Sequence, residues 1–150
     1  MEIKKLKEDL TVQISILDEI TKKFYSSCHA KECTNDPFIC PRTCGCGKKL
    51  NITTSMNFSI ATTLCNISHD AQLVTLIESA NIPGILKDII EYSHRIHFCL
   101  GIAHRHKDTY EEYSLLRDSI DTIEYICDLL QDIKFVMEGG KIEEDITPKI

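Results

Sequence analysis

No run of apolar residues in this 150-residue sequence approaches the roughly 18 that a membrane-crossing helix needs. The first nine residues, Met1 to Asp9, are charged throughout and hold no apolar core of a secretory signal. Both absences predict a cytoplasmic protein without a membrane span. Several enzyme signatures are missing as well. There is no G-x-S-x-G, no phosphate-binding loop, no dinucleotide-type glycine pattern and no H-E-x2-H. Broad positive charge is also lacking. The net charge is −6, and the stretch from Asp108 to Glu138 carries nine acidic residues against Arg117 and Lys134 alone. That argues against general nucleic-acid binding, which needs a broad basic face. The acidic stretch reads as a solvated helix face.

Proline and glycine are few, four and six residues, and two of each lie between Cys28 and Gly47. The same stretch holds five of the eight cysteines in nineteen residues: Cys28, Cys33, Cys40, Cys44 and Cys46. Residues 28–51 show neither helical nor alternating periodicity, and Asp36-Pro37, Cys40-Pro41, Gly45 and Gly47 punctuate them. A loop this long inside a compact domain is expected to be functional or tied down. The cysteines are the obvious ties.

Helical periodicity fills the remainder. Over residues 3–27, Ile3, Leu10, Leu17 and Phe24 recur every seventh position, with Leu6, Ile14 and Ile20 beside them. Residues 52–80 carry Met56, Ile60, Leu64, Ile67, Ala71, Val74 and Ile77 at helical spacing, in a stretch rich in Thr, Ser and Asn. They predict one long helix, kinked or split if Ser68 or Asp70 acts as a cap. Asn81-Ile82-Pro83-Gly84 predicts a tight turn. A third helix follows over 85–106 through Leu86, Ile89, Ile90, Ser93, Ile96, His97, Leu100 and Ala103. Thr109 with Glu112 resembles a capping box for a fourth, which runs to Glu138 and stops at Gly139-Gly140.

The fold expected is therefore all-α: an antiparallel four-helix bundle over residues 1–138, with a long Cys-rich loop at 28–51 between its first two helices. Residues 139–150 read as a flexible acidic tail. Up-down connectivity would set the Cys-rich loop beside the turn that holds His104 and His106. It would also crowd Lys22, Lys23, Lys31, Arg42, Lys48, Lys49, Arg105 and Lys107, eight of the seventeen basic residues, at that end.

Thiolates bind soft or borderline ions, and four of them close a tetrahedral zinc site or hold an iron–sulfur cluster. The spacing C-x4-C-x6-C-x3-C-x-C contains no C-x2-C knuckle. Cys28, Cys33, Cys40 and Cys44 are the expected ligands, with Cys46 able to replace Cys44 and His29, His104 or His106 able to replace one thiolate. Zinc is the first choice because it needs no assembly machinery and stabilises a long loop. An iron–sulfur cluster is the alternative, and it would bring redox or sensing chemistry. In a reducing compartment clustered cysteines favour metal over disulfides. The even cysteine count and three glycosylation-type triplets, at Asn51, Asn57 and Asn66, support a secreted, disulfide-bonded rival reading.

Cys65, Cys99 and Cys127 fall in separate helices, where cysteine is usually a small buried hydrophobe. Glu91-x2-His94 has the form used in di-iron bundles, but such sites need two copies facing inward, and the fourth helix offers Glu124-x2-Cys127 instead. His97 falls at the edge of the apolar stripe and is expected as a core histidine. With no catalytic constellation, the sequence predicts a non-enzymatic adaptor, sensor or regulatory module acting on a protein partner. An iron–sulfur redox protein or accessory subunit is the alternative. Seven-residue spacing in the first and fourth helices suits a homodimer as well as an internal core.

Overall fold

The computed structural model describes residues 2–25, 52–108 and 112–142. Four helices make up the described residues, with no strand among them: α1 (Ile3–Tyr25), α2 (Ile52–Leu76), α3 (Ile82–Arg105) and α4 (Tyr113–Met137). α1 packs on α2 and α4, and α3 packs on the same two helices. α2 also meets α4, whereas α1 and α3 bring no Cα atoms within 8 Å of each other. One apolar core runs through all four.

The seven-residue repeat of α1 goes inward. Leu10, Leu17 and Phe24 are buried together with Leu6, Ile14 and Ile20. The same is true of Leu116, Ile123 and Leu130 on α4. Each such side chain contributes about 1.5–3 kcal/mol on leaving water, so these stripes serve the internal core. On the outer side of α1, Lys5 pairs with Asp9 at 2.9 Å and Lys22 with Glu19 at 3.1 Å.

α2 is a single unbroken helix. Ser68 does not cap a second one, because its hydroxyl donates to Asp18 Oδ1 on α1 at 2.5 Å. Thr62 and Thr63 spend their hydroxyls on the carbonyls of Phe58 and Ser59, four residues back, at 2.9 Å each. Thr21, Ser119 and Thr122 do likewise within α1 and α4. Hydroxyls satisfied inside their own helix no longer compete with it. Every buried side-chain polar atom among the described residues has a partner.

The expected turn at 81–84 is instead the start of α3. Asn81 is the N-cap, its side chain accepting from the Gly84 N–H at 3.2 Å, and Pro83 lies in the first turn, where no N–H is needed. A side chain at Gly84 would put a Cβ 2.7 Å from Asn81 Nδ2, so the cap depends on that glycine. The link between α2 and α3 is accordingly 77–81.

The expected capping box before α4 is also corrected. Glu112 itself occupies the N-cap position and makes no side-chain capping bond, whereas a capping box needs it three residues inside the helix. Thr109 lies outside the described residues. At its other end α4 stops as expected. Gly139 has φ +94°, its N–H donates to the Val136 carbonyl at 3.0 Å, and the Gly140 N–H donates to Phe135 at 2.9 Å. That pair of bonds is a Schellman motif, which glycine enters without a Cβ clash. Beyond it Ile142 packs against the core.

Candidate metal centre

Six of the eight expected ligands, Cys28, His29, Cys33, Cys40, Cys44 and Cys46, lie outside the described residues. The other two, His104 and His106, stand exposed at the end of α3. His104 Nδ1 lies 3.0 Å from the Tyr113 hydroxyl at the start of α4, and the two rings meet edge to face with centroids 6.0 Å apart. This contact spans the α3–α4 link and fixes the imidazole of His104. The His106 N–H donates to the Ala103 carbonyl at 3.0 Å, closing the last turn of α3. Arg105 and Lys107 are exposed beside them, and Lys22 and Lys23 occupy the last turn of α1. Lys31, Arg42, Lys48 and Lys49 lie outside the described residues. In the sequence Tyr113 carries no mark beyond an aromatic hydroxyl a few residues after a histidine-bearing turn.

The three helical cysteines are free thiols, two half-buried and one exposed. Cys99 is half-buried, and burial pushes its thiol above the ordinary range. Cys127 is half-buried too. Its thiol is pushed up to about 11, first by burial and then by the carboxylates of Asp128 and Glu124. Such a group is a protonated thiol at neutral pH and acts neither as a nucleophile nor as a ready ligand. Cys65 departs from expectation: it is exposed. A helix turns about 100° per residue, so the residue after the fully buried Leu64 is carried off the core face.

His97 is corrected for the same reason. It follows buried Ile96 and stands exposed rather than in the core. Glu91, His94 and Glu124 are exposed as well, which leaves no inward-facing carboxylate–histidine set on α3 and α4. Among the described residues, no three His, Cys, Asp or Glu side chains are grouped to hold an ion. Among the described residues, the one carboxylate shifted clearly from its ordinary value is elsewhere. Asp70 on α2 is raised by partial burial and by Asp88 on α3, against a smaller opposing effect of His69.

No helix among the described residues is long and apolar enough to cross a membrane. Compared with known proteins, the chain matches no family model, no curated protein and no solved structure.

Proposed function

We propose that this protein is a non-enzymatic helical module whose Cys28–Cys46 segment binds zinc and presents it, with the surrounding basic residues, to a protein partner in the cytoplasm. The observation that carries this reading is a division of labour. Five of the eight cysteines fall in nineteen residues of the link between α1 and α2, while the described residues of the four helices share one apolar core. On this reading the link serves binding and the helices serve the core. Zinc would tie that segment down, and its affinity would be folding energy for the segment rather than for the bundle.

The bundle is read as antiparallel, up-down-up-down. Short links support it: α2 and α3 pack together and are joined by 77–81, and α3 and α4 by 106–112. In that arrangement the chain enters α2 at the end where His104 and His106 stand. Either histidine could then complete a set drawn from Cys28, His29, Cys33, Cys40, Cys44 and Cys46. The lack of a C-x2-C knuckle favours one alternative, an iron–sulfur cluster in a redox protein or accessory subunit.

Metal analysis and a visible spectrum of protein purified without oxygen separate the two. A colourless protein with one zinc per chain supports the first reading, and a brown one with iron and sulfide supports the second. Chelation should open residues 28–51 to protease while helical circular dichroism stays nearly unchanged. Cys33→Ser and Cys40→Ser should each lower bound metal sharply, and Cys127→Ser should not. Protein without metal, with Cys28 through Cys46 paired as disulfides, would refute both readings and favour a secreted one.

A further inference from the structure

The outer face of α3 carries a repeat of its own. Ile82, Ile89, Ile96 and Ala103 form its buried stripe. Almost opposite, at the same seven-residue spacing, stand Glu91, Phe98 and Arg105, all exposed. Phe98 is 72% exposed, as exposed as any large apolar residue described, and it projects from mid-helix rather than from a frayed end. Three residues on, Gly101 sits inside the helix although glycine is among the poorest helix formers. Among the described residues a Cβ there would meet nothing within 4 Å, so packing against them does not explain the glycine. His94, one turn before Phe98 on the same side as Gly101, is exposed too.

We propose that a second copy of this chain docks here, α3 against α3, antiparallel about a two-fold axis level with Phe98. The charges select that occupant. Glu91 and Arg105 lie seven residues to either side of Phe98, about 10.5 Å along the helix in each direction. Antiparallel pairing therefore sets Glu91 of each copy opposite Arg105 of the other. Two identical ion pairs flank a central Phe98–Phe98 contact, and aromatic rings favour such mutual packing. The same operation brings His94 of each copy to within one residue, about 1.5 Å along the axis, of the level of Gly101 of the other, and the missing side chain leaves room for the imidazole. An interface that repeats every contact twice is the signature of a closed two-fold dimer.

Other exposed apolar residues lack this match. Val12 on α1 also has charges seven residues away, but Lys5 is held by Asp9 and Glu19 by Lys22 within α1. Among the described residues no ion pair engages Glu91 or Arg105. One helix pair makes a small interface, so the association is weak, in the class burying less than about 1,200 Å². It does not require the thiols to hold an ion.

The test is sedimentation equilibrium of the full chain over about 10 µM to 1 mM, in reductant, with and without chelator. A concentration-dependent dimer is expected in both conditions. Phe98→Asp should weaken it about tenfold or more, as loss of a central aromatic anchor does. Glu91→Arg and Arg105→Glu should each weaken it by setting like charges together, and the double variant should restore it. Circular dichroism should be unchanged throughout, since all three positions are exposed. A monomer across the range overturns the proposal. So does a dimer that chelation dissolves, that Phe98→Asp leaves intact, or that the double variant fails to restore.

Discussion

Replacing Ser68 with Ala removes the hydroxyl that ties α2 to α1. Ser68 is 6% exposed and its hydroxyl donates to the Asp18 carboxylate at 2.5 Å. A hydrogen bond to a charged group contributes about 1.5–3 kcal/mol when shielded. Asp18 is exposed, so water competes for the carboxylate and reduces the value to about 1 kcal/mol. Ser68→Ala and Asp18→Ala should therefore each cost about 1 kcal/mol, and the double variant about the same rather than twice as much. For a chain of this length each variant's melting temperature should fall by about 2–4 °C. The assay is urea unfolding followed by far-ultraviolet circular dichroism, with m unchanged so that the midpoints report stability. A coupling energy below about 0.3 kcal/mol would be indistinguishable from additivity. It would mean that α1 and α2 do not meet in this register, and the contact would have to be abandoned.

In native protein at pH 8, iodoacetamide should label exposed Cys65 well before Cys127, whose thiol is pushed up to about 11 and deprotonates only as pH approaches that value. Peptide mapping that finds the two labelled equally fast would contradict the burial of Cys127. Asp70→Asn should stabilise the protein at pH 7. The carboxyl is raised above 3.8 by burial and by Asp88, so the native state holds its proton more tightly and loses stability as pH rises through that raised value. Solvent screens the effect, so the gain is about 0.5 kcal/mol at most. It should vanish below pH 3.8, and thermal melts at pH 3 and pH 7 check the sign.

The four helices were legible because their apolar positions repeat with the helix period and little interrupts them. The stripes of α1 and α4 contain almost nothing but Leu, Ile and Phe, and burial decides their direction. Errors arose where one residue type serves two purposes. Asn81-Ile82-Pro83-Gly84 has the composition of a turn, but the same residues in the same order make a capped first turn of a helix. Cys65 and His97 each follow a fully buried residue, and a single step of about 100° separates core from solvent. The Asp18–Ser68 bond has no sequence signature, because partners fifty residues apart leave no period behind. Of the candidate metal ligands, the sequence pointed to both histidines at the α3 terminus, but not to Tyr113, which holds one of them.

The links of the bundle differ in what they can tolerate. The connection from α2 to α3 ends in a capping residue, Asn81, whose bond to Gly84 fixes how α3 begins. An inserted residue there would displace a cap worth about 1 kcal/mol. The stretch between Tyr25 and Ile52 carries a different constraint, since the described residues of the helices it joins already share one apolar core. Closure entropy grows only as the logarithm of length, so doubling such a connection costs about 0.6 kcal/mol. An insertion within residues 26–51 is therefore expected to cost the helices little, which a thermal melt would check, and that segment is where a new binding specificity would be grafted first.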